Sequence, residues 1–164
     1  MHAGNSMKLD VGCGTNPQGD VNIDYRVGST FETTRDPKGD YLNAKKTKNF
    51  VKGDVSHLPF RTNRFEEVYS SHVIEHVDNP YKMLKEMIRV SKKTVEIKCP
   101  HRYSRWAKAT KLHKNFFSLT WFNKTVKKIA PQCKVISTVN HAHPIPFIGL
   151  IQLPHEISVT IYKR

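Results

Sequence analysis

Seven short runs of apolar or alternating residues recur along this 164-residue chain, and they constrain its fold more than any other feature. Most of these runs end at or beside Gly, Pro, Asn or Asp, the residue types that interrupt strands. The runs cover residues 8–11, 21–24, 50–55, 64–71, 94–100, 134–140 and 156–162. We therefore predict seven strands and a domain built on a sheet.

Two amphipathic stretches between these runs have the spacing of helices. The first covers residues 80–91, with Asp78 or Asn79 as its cap. The second covers residues 121–130, and a serine or a threonine shortly ahead of it can provide the cap. Strands that alternate with helices predict an α/β domain with a mostly parallel sheet, whose ligands bind at the carboxyl ends of the strands.

The length fits a single domain over residues 1–164, and the composition fits a cytoplasmic protein. No apolar run approaches eighteen residues, so we expect no membrane span. The first six residues lack the basic and apolar regions of a secretory leader. Cys13, Cys99 and Cys133 are widely spaced and form no CxxC pair, which favours reduced thiols over disulfides.

Positive charge is concentrated in the last third of the chain. The chain has 27 Lys and Arg against 14 Asp and Glu, a formal net charge of +13. Residues 97–164 hold 12 of these basic residues and one of the acidic residues. This distribution predicts a positive field that attracts an anionic partner such as nucleic acid, a phosphorylated metabolite or acidic lipid. A charge excess that serves solubility is the alternative.

A turn with two glycines connects the first two predicted strands. Gly12 and Gly14 follow the first strand and Asp24 ends the second, so all three belong to one edge of the sheet. Glycines let a ligand approach the backbone, and a carboxylate at the neighbouring strand end can accept hydrogen bonds from a ribose diol. These features predict an adenosine-bearing cofactor. A dinucleotide fits poorly, because the third glycine of GxGxxG is missing and the acid follows Gly14 by ten residues instead of about 20.

Four segments, "LDVGCGTNP", "NIDY", "KGDVSHLPF" and "SSHVIEHVDNP", resemble in order and spacing the motifs of class I S-adenosylmethionine-dependent methyltransferases of the type 11 group. The resemblance covers residues 8–100, the cofactor-binding half, and leaves residues 101–164 as a basic acceptor-side half. It implies a Rossmann-like, seven-strand methyltransferase fold, mostly parallel with an antiparallel last strand. It also implies methyl transfer from S-adenosylmethionine.

The same resemblance implies roles for seven residues near the strand ends. Asp10, Gly12 and Gly14 would flank the methionine part of the cofactor, Asp24 the ribose hydroxyls, Asp54 the adenine amino group with Val55 beside it, and Ser71 the methyl-donor pocket. Taken one by one, these residues could equally be caps and turns. Their convergence on the ends of neighbouring strands favours the cofactor interpretation.

Two features depart from the family pattern. Only six residues separate Gly14 from Val21, fewer than a parallel crossover needs, so the first crossover helix is reduced to a turn or the strand is shorter. No segment ahead of the first strand matches the family's N-terminal helix. We therefore expect a minimal version of the fold, with a partner or a second copy at the side that this helix would cover.

A histidine-rich segment after the fourth strand is predicted to be catalytic. "HVIEH" contains His72, Glu75 and His76, and His113 lies downstream in "LHKNFF". The segment resembles the "ExxEH" site that ligates a divalent ion in small-RNA 3′-end 2′-O-methyltransferases and some ubiquinone-pathway O-methyltransferases, with His72 replacing the first Glu. Three histidines and one carboxylate favour manganese, iron or zinc over magnesium. Alternatively, the histidines line the acceptor pocket without a metal, where a near-neutral pKa suits a general base.

The sequence leaves the acceptor open between a small anionic molecule and RNA. Cations alternate with aromatic residues after the fifth strand: Arg102, Tyr103, Arg105, Trp106, Lys108, Lys111, Phe116 and Phe117. This mixture can follow a phosphate backbone and stack unpaired bases. The type 11 resemblance points instead to small-molecule acceptors. We expect an S-adenosylmethionine-dependent methyltransferase with a small anionic acceptor, an RNA methyltransferase as the first alternative, and a non-catalytic cofactor-fold binding module as the second.

Overall fold

A computed structural model of the chain describes residues 6–25, 47–105, 107–108, 111–141 and 154–164. In these ranges seven strands form one sheet in the order β3-β2-β1-β4-β5-β7-β6. The strands are β1 (Lys8–Val11), β2 (Val21–Asp24), β3 (Phe50–Lys52), β4 (Phe65–Ser71), β5 (Ser91–Pro100), β6 (Lys134–His141) and β7 (Pro154–Tyr162). Strands β1 to β5 pair in parallel, and β7 is antiparallel to both of its neighbours. The predicted fold class is confirmed.

Two strand boundaries differ from the prediction by three residues, and the boundaries of β4, β6 and β7 differ by one or two. Strand β3 stops at Lys52 because a turn follows at once: the Ser56 amide donates to the Asp54 carboxylate over 2.8 Å, and the His57 amide donates to the Asp54 carbonyl over 2.9 Å. Strand β5 begins three residues earlier than predicted, at Ser91, and Ser91 pairs with Phe65 of β4. This pairing between distant segments extends the strand through two exposed lysines that local propensity would leave in a loop.

The connection from β1 to β2 spans residues 12–20 and contains no helix. It is held by polar contacts with β1: the Gln18 amide donates to Asp10 Oδ2 over 2.8 Å, and the Asp20 amide donates to the Lys8 carbonyl over 2.9 Å. A parallel crossover normally requires a dozen or more residues with a helix. Here the crossover helix is reduced to a turn, the first of the two alternatives that the sequence left open.

Two helices, α1 (Pro80–Val90) and α2 (Leu119–Ile129), pack on the sheet. Asn79 caps α1 by accepting from the Lys82 amide over 2.9 Å, and Ser118 caps α2. Both helices bury one apolar stripe, which in α1 consists of Met83, Leu84, Met87, Ile88 and Val90. Burial of one such side chain contributes roughly 1.5–3 kcal/mol. No helix in the described ranges is long and apolar enough to cross a membrane.

The strand directions bring several chain segments to one edge of the sheet. The carboxyl ends of β1, β2 and β4 lie there because these strands are parallel. Strand β7 runs the other way, so its beginning reaches the same edge, where Glu156 pairs with Pro100 at the end of β5. Residues that are far apart in sequence therefore meet at this edge.

Candidate functional site

The glycine turn after β1 is hydrogen-bonded to the end of β2. The Gly12 and Cys13 amides both donate to the Ile23 carbonyl, over 2.8 and 3.2 Å. The Gly14 amide donates to Asp24 Oδ2 over 3.0 Å. Both glycines have positive φ, +75° at Gly12 and +51° at Gly14, a region that residues with a side chain adopt at a cost. The turn is therefore braced by the strand that carries the predicted ribose ligand.

Gly12 also makes a close approach to the turn after β4. A Cβ atom at Gly12 would lie 2.3 Å from Cγ2 and 2.8 Å from Cγ1 of Val73. At Gly14, in contrast, a Cβ atom would meet no atom within 4 Å among the described residues. Gly12 thus packs against the protein, and Gly14 borders open space in which a ligand can lie.

Asp10 is the most deeply buried of the predicted cofactor ligands. Its side chain is 3% exposed and accepts from the Gln18 amide, and burial raises the pKa of this carboxyl above its ordinary value. Beside it, the buried Ser70 hydroxyl donates to the Val11 carbonyl over 2.8 Å and links β4 to the start of the glycine turn. Sequence reasoning missed Ser70, although its place two residues after Val68 puts it on the buried face of β4.

The other three predicted cofactor residues follow β3 and end β4. Asp54 accepts from the Ser56 amide, and this hydrogen bond lowers the pKa of the Asp54 carboxyl. Val55 is buried in the core. Ser71 is the last residue of β4, is half-buried and pairs with Lys98. Asp10 and Asp54 therefore both make local backbone contacts, which is the capping alternative, and these contacts leave carboxylate oxygens for further bonds.

Glu75, His76 and His113 form a cluster, which we call the histidine cluster. One potential ligand atom from each residue lies within 4.8 Å of the others. The His76 and His113 rings are 4.7 Å apart between centroids. Glu75 is 1% exposed, and neither of its carboxylate oxygens has a hydrogen-bond partner in the described parts of the chain. A buried carboxylate without hydrogen bonds is costly, and a positive charge beside it offsets that cost, so this site suits a cation.

Backbone carbonyls orient both imidazoles of the histidine cluster. His76 Nδ1 lies 3.1 Å from the Leu112 carbonyl oxygen, and His113 Nδ1 lies 2.9 Å from that of Ala107. Because a carbonyl oxygen only accepts, each Nδ1 carries the hydrogen and each neutral ring keeps its lone pair on Nε2. Burial lowers the pKa of His76 and favours this neutral form. Both rings can thus act as a base or as a metal ligand.

His72 has a different environment from the other two histidines. Its Nε2 lies 3.0 Å from Glu156 Oε2, and its Nδ1 lies 3.4 Å from Glu75 Oε1. The Glu75 carboxylate, followed by that of Glu156, raises the pKa of His72 and favours the imidazolium. The structure thus brings three of the four predicted metal ligands together and gives His72 two carboxylate partners. Sequence reasoning missed Glu156, although it is the single acidic residue after Glu96.

The described residues 101–105, 107–108 and 111–117, which we call the acceptor-side segment, contact the histidine cluster through Ala107, Leu112, Lys114 and Asn115. The Lys114 and Asn115 amides donate to the Glu75 carbonyl over 2.8 and 3.1 Å. Tyr103 is 63% exposed and Phe116 is 52% exposed, and the Arg102 guanidinium lies 5.0 Å from the Tyr103 ring centroid. The segment thus exposes cations and aromatic rings to solvent, and two of its backbone amides bind the turn that carries the cluster.

Two aromatic residues that the sequence assigned to the basic surface are not among its exposed residues in the described structure. Phe117 is 2% exposed and packs against Trp121 and Phe122, so it belongs to the core. Trp106 lies outside the described residues. The aromatic contribution of the described segment is therefore limited to Tyr103 and Phe116.

Residues 9–97 match the family model described as a methyltransferase domain, which covers more than half of the chain. The chain belongs to this methyltransferase domain family. A comparison with curated protein sequences finds no match. Membership in the S-adenosylmethionine-dependent methyltransferases implies S-adenosylmethionine as the methyl donor. The open space at Gly14 and the carboxylate of Asp24 are compatible with such a ligand at the edge of this methyltransferase domain.

Solved structures share the fold of the methyltransferase domain. An S-adenosylmethionine-dependent methyltransferase from Thermotoga maritima, described as a possible histamine N-methyltransferase, has a TM-score of 0.68 at 18% identity, with 96% of this chain and 82% of that chain covered. An S-adenosylmethionine-dependent methyltransferase from Archaeoglobus fulgidus has a TM-score of 0.64 at 15% identity, with 98% and 87% covered. A third match, to a complex containing the Haloferax volcanii Trm112 methyltransferase activator, has a TM-score of 0.64 at 14% identity, with 100% and 85% covered. At these identities the methyltransferase domain shares a fold with these proteins, and the acceptor is a separate question.

Proposed function

We propose that this methyltransferase domain transfers a methyl group from S-adenosylmethionine to a small anionic molecule. The observation that carries the proposal is the position of the histidine cluster, which is hydrogen-bonded to a cationic segment and follows β4 at the edge where the cofactor motifs converge. Cations in the acceptor-side segment would bind the anionic part of the acceptor. The cluster would then face the atom that receives the methyl group.

The cofactor roles that the resemblance implies are part of this proposal. Asp10, Gly12 and Gly14 would flank the methionine part, Asp24 would accept from the ribose hydroxyls, Asp54 would accept from the adenine amino group beside Val55, and Ser71 would line the methyl-donor pocket. Support comes from the ends of β1, β2 and β4, which lie at one edge. The Asp24 contact with the Gly14 amide would fix the carboxylate for the ribose.

Methyl transfer requires alignment and removal of a proton. The bond from the methyl carbon to sulfur breaks as the bond to the acceptor oxygen or nitrogen forms, and the acceptor proton passes to a base. Nε2 of His76 is the proposed base, because the Leu112 carbonyl holds the hydrogen on Nδ1 and burial lowers the pKa of the ring, which favours its neutral form. His113 would serve as a second base, and His72 would act on Glu75 as an imidazolium. Alignment can lower the barrier by roughly 7–11 kcal/mol.

A divalent metal at Glu75, His76 and His113 is the alternative way to activate the acceptor. Two imidazole nitrogens and one carboxylate favour manganese, iron or zinc over magnesium. The donor set that such an ion requires is present: Glu75 is buried without a hydrogen bond among the described residues, with His72 as an ion-pair neighbour, and the hydrogen of each Nδ1 is fixed by a carbonyl. When bound, the ion would lower the pKa of an acceptor hydroxyl. His76 would then be a ligand and no longer a base.

RNA is the second candidate acceptor, and the exposed rings of Tyr103 and Phe116 among the cations favour it. Stacking on exposed aromatic rings is how proteins bind unpaired bases. RNA binding through several phosphates should weaken with salt at a slope of about 0.7 per phosphate contact, whereas a single-anion metabolite should give a shallow slope. RNA affinity that does not respond to salt would remove this candidate.

The test is transfer of a labelled methyl group to a cell extract separated into RNA, protein and small-molecule fractions, with and without a chelator. Label in the small-molecule fraction supports the proposal, and label in RNA supports the second candidate. His76→Ala should abolish transfer and leave cofactor affinity unchanged. Asn123→Ala is the control, because Asn123 lies on the exposed face of α2 and, within the described ranges, contacts none of the residues assigned to the cofactor or the cluster. Cofactor binding without label in any fraction would indicate a binding module or a missing protein partner.

A further inference from the structure

A hydrogen-bonded joint connects the turn after β4 to the acceptor-side segment. Asn115 contributes two bonds: its amide donates to the Glu75 carbonyl over 3.1 Å, and its side-chain Nδ2 donates to the Val77 carbonyl over 2.7 Å. Lys114 adds a bond from its amide to the Glu75 carbonyl over 2.8 Å. Glu75 and His76, two of the three candidate metal ligands, lie on this turn and are thereby joined to the segment that carries the third, His113.

The Asn115 side chain is the part of this joint that a substitution can remove. Lys114 also pairs with Asp78 over 2.6 Å, but this ion pair is exposed on both sides and such pairs contribute little. The bond from Asn115 to Val77 is half-buried, where loss of a hydrogen-bond partner leaves the carbonyl unsatisfied. His113 lies two residues before Asn115, so a shift of Asn115 moves the His113 ring.

We propose that Asn115 is a positioning residue that holds His113 against Glu75 and His76. Asn115 acts through His113 and does not itself contact the reacting atoms. The inference rests on the proposed function only in assigning chemistry to the histidine cluster. The proposal further implies that the acceptor-side segment and the histidine cluster form one structural unit. The cations that would bind the acceptor are then hydrogen-bonded, through the backbone of their segment, to the residues that would activate it.

The first test needs neither metal nor acceptor. In Asn115→Ala, and in Asn115→Asp, which keeps the size but removes the donor, we expect the Lys114 and Asn115 amides to exchange with solvent at least about tenfold faster, as expected for local opening of a weakened joint. The nuclear Overhauser effect between protons of the His76 and His113 rings should weaken or disappear. Asn123→Ala, on the exposed face of α2, is the matched control and should change neither.

The second test uses zinc alone. Loss of a residue that orients a ligand typically reduces metal affinity about 10–100-fold, so Asn115→Ala should bind zinc that much more weakly, with unchanged cofactor affinity. Unchanged amide exchange and an intact ring contact would overturn the role of Asn115. Faster exchange with equal zinc affinity would also overturn it. Failure of the wild-type protein to bind zinc would count against the proposed metal, and the ring contact would then decide the role of Asn115.

Discussion

Gly12 offers a test of how the cofactor edge is packed, through the substitution Gly12→Ala. Two costs are expected. A residue with a side chain at φ +75° costs roughly 1–2 kcal/mol, and a methyl group 2.3 Å from Val73 Cγ2 adds an overpacking cost of about 1–3 kcal/mol. The free energy of unfolding should therefore fall by about 2–5 kcal/mol. Urea denaturation followed by circular dichroism measures this change.

Two further variants separate the backbone cost from the packing cost. Gly14→Ala meets no described atom within 4 Å, so it should pay the backbone cost alone, about 1–2 kcal/mol. Val73→Ala should relieve the clash, so the double variant Gly12→Ala/Val73→Ala should be more stable than additive behaviour predicts by about 1–3 kcal/mol. The reasoning is refuted if Gly12→Ala costs no more than Gly14→Ala, or if the double-variant cycle is additive.

Three other predictions concern stability and cofactor affinity. Lys163 Nζ donates to Asn63 Oδ1 and to the Ile88 and Ser91 carbonyls over 2.7 to 2.9 Å. Lys163→Met should therefore lower the free energy of unfolding by about 1.5–3 kcal/mol. The control Lys92→Met removes an exposed ion pair and should lower it by at most about 1 kcal/mol. The raised pKa of His72 means that its imidazolium stabilises the fold fully below pH about 6.5, and this contribution is lost as the pH rises through the raised value. The difference in unfolding free energy between wild type and His72→Gln should therefore shrink as the pH rises. A difference that does not change with pH would contradict the assignment. Calorimetry should show that Asp24→Asn binds S-adenosylmethionine about 10–150-fold more weakly, whereas Asp20→Asn, near the start of β1, should bind it as the wild type does.

Sequence patterns predicted the strands and helices because each was encoded by local periodicity. The apolar stripe of α1 and the alternation in β7 place each side chain without reference to the rest of the chain. Two boundaries differ most: the end of β3 is set by a local turn at Asp54, and the start of β5 depends on a distant partner. Ser91 becomes part of β5 because it pairs with Phe65, and nothing in its immediate neighbours indicates this pairing.

In the candidate site, too, some residue positions follow from local sequence patterns and others depend on distant partners. The ends of β1 and β2 were predictable, since parallel strands bring Asp10 and Asp24 to one edge. The partner of His72 was not predictable, because Glu156 is 84 residues away and reaches His72 only through the antiparallel register of β7 against β5. Loop contacts such as the Asn115 joint depend on side-chain geometry that periodicity does not contain.

The hydrogen bonds that hold the glycine turn also determine which ligands this edge of the sheet excludes. Proteins bind a pyrophosphate with free backbone amides of a glycine loop and with the amino end of the helix that follows. Here the amides of Gly12 and Cys13 already donate to Ile23, the Gly14 amide donates to Asp24, and residues 12–20 contain no helix. A dinucleotide would have to break these bonds before it could gain any. The edge thus discriminates against a dinucleotide because these three backbone donors are already occupied.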